Sequence, residues 1–197
     1  MTTKAEKTTQ FIIKTVAPIF NKKGYSDTSL SDITKATGLT KGAIYGNFKN
    51  KEELALQVFE YNANMVTSRI EQYMEKGSSP LERLLYLIRF YKNYYDFTNN
   101  FGGCPIVNSG ADANNTFPEL LQKVQETIHK IEGYIRTEIE AGKHLGEIRN
   151  TINGNVYGKR FFSLLNGAVF MSQTTHDKSY TTDCVNIIID TINQRFK

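Results

Sequence analysis

Between residues 24 and 53 the chain is punctuated so closely that only short helices fit between the marks. Gly24 closes an apolar run, Phe11, Ile12, Thr15, Val16, Ile19 and Phe20, whose spacing is helical; this places the first helix over residues 4–23, with Pro18 as a possible bend. Ser29-Leu30-Ser31-Asp32 then has the form of a capping box, followed by Ile33 and Ala36 and stopped by Gly38. Thr40 can cap a third helix over residues 41–47, and Asn50-Lys51-Glu52-Glu53 opens a long fourth one that runs to about residue 75. Four helices in so short a stretch leave no room for strands.

The rest of the chain continues in the same manner. Ser79-Pro80-Leu81-Glu82 combines an N-cap, a proline at the first helical position and an acid at the third. The helix it opens carries Leu84, Leu85, Ile88, Tyr91 and Tyr95 on one side, and a Gly102-Gly103-Cys104-Pro105 turn follows. Another helix is expected from near Pro118 through Leu121, Val124, Ile128, Ile131, Ile135 and Ile139 to Gly142, and two more over residues 156–174 and 182–196. The fold expected is all-α: a three-helix N-terminal helix-turn-helix domain over residues 1–51, then a larger helical domain over residues 52–197, about nine helices in all.

Charge divides along the same line. Residues 1–51 hold nine lysines against Glu6, Asp27 and Asp32, a net +6, whereas the remainder has 15 basic and 17 acidic residues, a net −2. A basic head on a slightly acidic body suggests a polyanion as partner of the head alone. The second short helix supports this, because it displays Lys41, Gly42, Tyr45 and Asn47 together, although Ala43 and Ile44 would suffice for packing a plain helical hairpin.

Other classes find little support. No window approaches the roughly 18 apolar residues of a membrane span, and the polar N-terminus lacks a leader's apolar core, so a cytoplasmic protein without membrane association is expected. The two cysteines, Cys104 and Cys184, are too few for a disulfide framework, and His129, His144 and His176 are too dispersed for a metal site. Cys104 with a histidine base would be the catalytic alternative, but no enzyme signature surrounds it; neither catalysis nor a cofactor is expected.

Residues 11–59 resemble the DNA-binding domain of the tetracycline-repressor (TetR) family. The resemblance is carried by Phe20, Gly24, Tyr25, Thr28, Asp32, Ile33, Ala36, Gly38 and Leu39, and above all by the run from Thr40 through Lys41, Gly42, Ala43, Ile44, Tyr45, Phe48, Lys51 and Glu53 to Leu54. It implies a ligand-responsive regulator, usually a repressor, that binds double-stranded operator DNA as a homodimer; a constitutive DNA binder without effector is the alternative. Carried over by position, residues 41–47 become the recognition helix, with Gly42, Ala43 and Tyr45 near base edges or sugars, and with Thr28, Ser29, Ser31, Thr40, Tyr45 and Lys51 on phosphates. Ala43 is also suited to a thymine methyl and Asn47 to adenine.

The family's C-terminal domain implies dimerisation through the last two long helices and a small apolar or electrophilic effector of unknown identity. Candidates for the interface are Tyr157, Phe161, Leu164, Leu165, Ala168 and Met171, then Val185, Ile188, Ile189, Ile192 and Phe196, with Gly167 and Ala168 small enough for close helix approach. Candidates for the effector site are Phe90, Tyr91, Tyr94, Tyr95, Phe97, Phe101, Cys104, Tyr134 and Phe162. Such an aromatic stripe equally suits an ordinary core. Cys104, at the start of a helix, carries the further expectation of a reactive thiol.

Overall fold

The computed structural model describes residues 3–197; the first two residues of the expected head lie outside the described residues. Ten α-helices follow one another, with one turn of 3₁₀ helix at Tyr91–Asn93 and no strand among the described residues. They are α1 (Lys4–Asp27), α2 (Leu30–Thr37), α3 (Lys41–Tyr45), α4 (Lys51–Met74), α5 (Pro80–Phe90), α6 (Tyr94–Asn99), α7 (Pro105–Ala113), α8 (Pro118–His144), α9 (Gly154–Thr175) and α10 (Ser179–Arg195). The all-α architecture with an N-terminal helix-turn-helix is as the sequence implies, α7 being the helix expected after Cys104; α6 is an addition to it.

The helix ends follow their caps. Thr3 and Glu6 form a reciprocal capping box on α1, and Ser29 and Asp32 form one on α2. Ahead of α4, Asn50 Oδ1 accepts from the Glu53 N–H at 2.8 Å, while the Glu53 carboxylate reaches back to the N–H of Lys49 at 2.6 Å. Helix α1 does not stop at Gly24. That residue turns into left-handed space (φ 82°), and a further helical turn to Asp27 follows because Asp112 of α7 accepts from the Tyr25 N–H at 2.5 Å. A Cβ at residue 24 would stand 2.9 Å from that carboxylate, so the joint requires glycine twice over.

The helices gather into two compact units. One comprises the chain up to Met65 together with Asn99–Glu126; the other comprises Val66–Thr98 and Thr127–Lys197. In the first, Ile12, Ile13, Val16 and Phe20 of α1, Ile33 of α2, Ile44 of α3 and Leu54, Val58 and Phe59 of α4 are buried. Burial at intervals of three and four is what drives such helices together, at about 1.5–3 kcal/mol for each large aliphatic or aromatic side chain. A clasp joins α1 to the turn before α7: Asn21 Nδ2 donates to the carbonyls of Phe101 and Gly103 at 2.7 and 2.8 Å, and Asn108 Nδ2 donates to those of Asn21 and Gly102, both at 2.9 Å. In the second unit the buried residues include Leu84, Leu87 and Ile88 of α5, Ile131, Ile135 and Ile139 of α8, Phe161, Phe162 and Leu165 of α9 and Val185, Ile188 and Ile192 of α10. There Arg83 and Glu138, the latter buried, pair at 2.9 Å.

Candidate functional site

Helices α2 and α3 are joined by a turn of three residues whose geometry each residue sets. Gly38 is left-handed (φ 69°) and its N–H closes α2 onto the Thr34 carbonyl at 2.9 Å. Thr40, extended at φ −72° and ψ 159°, opens α3 by accepting the Ala43 N–H on its hydroxyl at 3.2 Å. Ile33 and Ile44, each 1% exposed, and Phe48 at 2% hold the two helices from beneath. The upper face of α3 is left outward: Lys41 and Gly42 are exposed, Ala43 is half-buried, and Tyr45 is 40% exposed with the Lys41 ammonium 5.9 Å from its ring centre. Apart from its chain neighbours and its own helix backbone, no atom of the described residues lies within 4 Å of where a Cβ on Gly42 would stand, so no packing against another element demands a glycine there.

Around this face stand the other expected phosphate contacts. Ser29 and Ser31 are exposed at the start of α2, and the Ser29 hydroxyl also donates to Asp32 at 2.8 Å. Lys51 begins α4 with its ammonium 4.4 Å from the centre of the Tyr25 ring and 3.5 Å from the Ser26 carbonyl. Tyr25 in turn donates to Glu52 at 2.6 Å, and its hydroxyl is pushed up to about 12 by burial first and by Glu52 second. The ammonium of Lys23 lies 2.7 Å from Asp32, whose carboxyl is held well below the usual range by that hydrogen bond and by the N–H of Ser29. Tyr25 as a platform for Lys51 was not foreseen, since the two are far apart in sequence.

Two of the expected DNA contacts make hydrogen bonds within the protein. Thr28 is fully buried and its hydroxyl donates to the Gly24 carbonyl at 2.6 Å, so it secures the kinked end of α1 instead of facing a phosphate. Asn47 is engaged at both ends of its amide: Nδ2 donates to the Ala43 carbonyl at 2.8 Å, and Oδ1 accepts from the Thr9 hydroxyl at 3.1 Å. These two bonds tie α3 to α1 and leave one N–H and one lone pair of the amide unused. Phe11, the first residue of the apolar run of α1, is 48% exposed beside Lys7 and Lys14.

The chain matches the description "Bacterial regulatory proteins, tetR family" over residues 12–58 and "Tetracyclin repressor-like, C-terminal domain" over residues 80–188. The chain belongs to the TetR family. Among solved TetR structures, a transcriptional regulator from Cytophaga hutchinsonii is 32% identical with a TM-score of 0.91, covering 100% of this chain and 98% of that one. Another from Chloroflexus aurantiacus is 28% identical with a TM-score of 0.93, covering 98% of each chain. The Bacillus subtilis protein described as an uncharacterized HTH-type transcriptional regulator, YxaF, is 28% identical over 172 residues, 85% of this chain and 86% of its own length. As a TetR-family member the chain is a DNA-binding transcription regulator and not an enzyme.

The residues expected to line an effector site are placed differently from one another. Phe90, Tyr91, Tyr94 and Phe97 pack ring on ring, with centroids 5.0–6.2 Å apart, and the first three are buried. Beside them, Tyr94 and Tyr95 line with Val169, Ser172, Gln173 and Thr181 a crevice too tight to admit even one water molecule, far short of the roughly 300 Å³ at which drug-sized sites begin. Tyr134 donates to Glu71, and burial followed by that carboxylate raises its hydroxyl above the ordinary phenol range. Phe162 is buried in α9, whereas Phe101 and Cys104 belong to the unit that holds the helix-turn-helix. Cys104 is the residue before α7, as expected, but at 1% exposed it is closed to solvent; burial also raises the Cys184 thiol, and neither forms a disulfide. Of these rings Phe90, Tyr91, Tyr94 and Phe162 are buried, whereas Tyr95, Phe97, Phe101 and Tyr134 are half-buried.

The candidate interface residues also divide. Phe161, Leu165, Val185, Ile188, Ile192 and Phe196 are core of the chain itself. The large apolar side chains left outward on these helices are Val156, Leu164, Phe170 and Met171 of α9 and Tyr180 and Ile187 of α10, from 36% to 62% exposed. Gly167 lies on the same exposed run of α9, and apart from its chain neighbours and its own helix backbone no atom of the described residues lies within 4 Å of its missing Cβ.

Proposed function

We propose that this TetR-family regulator is a homodimeric repressor that grips a palindromic operator with α3 and releases it when a small apolar or electrophilic molecule binds. In this reading residues 1–51 read DNA, and residues 52–197 hold the effector and the second copy. The observation that carries it is the outward face of α3, where Lys41, Gly42 and Tyr45 are presented by a buried underside while no packing against another element requires Gly42. A missing side chain with nothing behind it suits a helix that something external must approach closely, as a recognition helix approaches a groove.

Lys41, Gly42, Ala43 and Tyr45 face base edges or sugars, and Ser29, Ser31, Thr40 and Lys51 take phosphates, with hydroxyls, ammonium groups and helix starts all suited to anionic oxygen. Thr28 and Asn47 support this surface from within. The exposed apolar stripe of α9 and α10 covers itself against a second copy, with Gly167 at the closest approach; a two-fold dimer presents two α3 helices to half-sites about 34–36 Å apart. An effector acts by favouring a dimer with a different spacing, and a tenfold loss of operator affinity requires about 1.4 kcal/mol of preference between the two forms. Burial of Cys104 favours a reversible ligand over direct alkylation, since a thiol reacts through its exposed thiolate.

The test is operator binding against salt. Lys51→Ala weakens binding to all DNA and lowers the slope of log affinity against log salt by about 1. Tyr45→Ala reduces operator affinity more than affinity for random DNA. If both variants bind operator as the parent does, α3 and the start of α4 are not the DNA-reading surface.

A further inference from the structure

Helix α8, 27 residues long, carries Gly133 near its middle, where a glycine weakens a helix relative to alanine. No packing against another element requires it: apart from its chain neighbours and its own helix backbone, no atom of the described residues lies within 4 Å of where its Cβ would stand. The space left bare belongs to a cleft of about 280 Å³, lined by His129, Glu132, Gly133 and Arg136 of α8 and Asn155 of α9. Two glycines of α9 set the second helix hard against the first at this point. A Cβ on Gly154 would stand 3.2 Å from Cγ of Arg136, and one on Gly158 would stand 3.0 Å from the Glu132 carbonyl oxygen. Glu132 and Arg136 are one turn apart with the acid first, the order in which opposite charges on a helix pair best. They do not pair. Glu132, its side chain 18% exposed, has Oε2 3.4 Å from Nδ1 of His129, a full counter-charge only when that imidazole is protonated. Arg136 donates to the neutral Oδ1 of Asn155 at 3.4 Å. Among the described residues Glu132 forms no ion pair with a lysine or arginine, and Arg136 forms none with a carboxylate.

We propose that this cleft binds a small zwitterion, an α-amino acid or a close analogue, with its ammonium group on Glu132 and its carboxylate on Arg136. A simple anion would answer Arg136 and meet Glu132 as a like charge, and a simple cation would do the reverse. An apolar molecule would take both charges out of water and return nothing to either. A molecule that carries both charges on one carbon skeleton answers both at once. The planar guanidinium suits a carboxylate, and because Asn155 accepts from Arg136 on Oδ1, its Nδ2 is left to donate to the same carboxylate. The volume holds several water molecules at roughly 30 Å³ each and lies near the roughly 300 Å³ at which ligand pockets begin. His129, Arg136 and Asn155 are exposed, so the cleft opens to solvent on one side and the side chain of the amino acid points out of it; recognition rests on the charged head. This site is separate from the helix-turn-helix and from the rings around Phe90, and it does not depend on operator binding.

Calorimetric titration of the full-length protein with L-alanine, L-glutamine and L-phenylalanine tests it. At least one is expected to bind saturably, and to bind at least tenfold more weakly once its carboxylate is amidated or its amino group acetylated. Glu132→Gln and Arg136→Gln, both at the surface, are each expected to lose at least tenfold. The derivatives separate the two roles: acetylation costs nothing further in Glu132→Gln, and amidation costs nothing further in Arg136→Gln. Gly133→Gln sets a side chain into the cleft without meeting another element, and is expected to abolish binding while helical circular dichroism and sedimentation match the parent. Saturable binding of none of the three amino acids, binding undiminished in the glutamine variants, or a crystal structure in which a side chain of a second copy fills the cleft each overturns the proposal.

Discussion

Thr28 and Asn47 show how little residue type alone says about which partner a side chain takes. A hydroxyl and a carboxamide beside a recognition helix have the chemistry of DNA ligands, and sequence alone assigns them so. In the fold Thr28 turns inward to the Gly24 carbonyl, and Asn47 bridges Ala43 and Thr9, 38 residues before it. Neither partner could be identified before the helices were placed, because Gly24 was expected to end α1 and not to kink it. The consequence is measurable. Thr28→Val preserves the side-chain volume and leaves the Gly24 carbonyl without its buried donor, so unfolding by denaturant is expected to show a loss of about 1–3 kcal/mol. Operator affinity per folded molecule should be unchanged; a tenfold fall in affinity at unchanged stability would instead return Thr28 to the phosphate contacts.

Helix starts were the most legible elements. A capping box is local chemistry, with both partners within four residues, so Ser29 to Asp32 and Ser79 to Glu82 announce α2 and α5 without any knowledge of the fold. The segment that became α6 and α7 was less legible. Its helices are short, the residue before α7 is Cys104 with no side-chain cap, and Gly102 and Gly103 adopt φ of 94° and 101° between them. Apolar periodicity marks a helix but does not tell which neighbour covers its face, and this is why the α9 and α10 residues divided between core and surface. Leu164 and Leu165 are adjacent, yet the first is 52% exposed and the second is fully buried. Leu164→Glu and Ile187→Glu are therefore expected to sediment as folded monomers with native circular dichroism, whereas Leu165→Glu, which forces a charge into the core, unfolds. A dimer that survives both surface substitutions would place the interface elsewhere.

At the scale of the whole molecule, helix caps, apolar periodicity and charge were enough to set the all-α class and a basic N-terminal head, but not the grouping of helices. Residues 99–126 join the unit of the helix-turn-helix through contacts such as Asn21 with Phe101, 80 residues apart, and no periodicity encodes a pairing over that distance. The effector set was the least legible of all, for aromatic side chains at helical spacing serve a packed core and a ligand cavity equally well; the rings around Phe90 form the former. What the family, the turn at Gly38 and the outward face of α3 jointly support is a dimer reading two related half-sites. Selection of bound sequences from a random DNA pool, run in parallel with the parent protein and with Tyr45→Ala, tests this directly. The account predicts that the parent enriches an inverted repeat with half-sites related by two-fold symmetry, and that Tyr45→Ala, folded and dimeric, fails to enrich it; no enrichment by the parent, or the same repeat from both proteins, would contradict it.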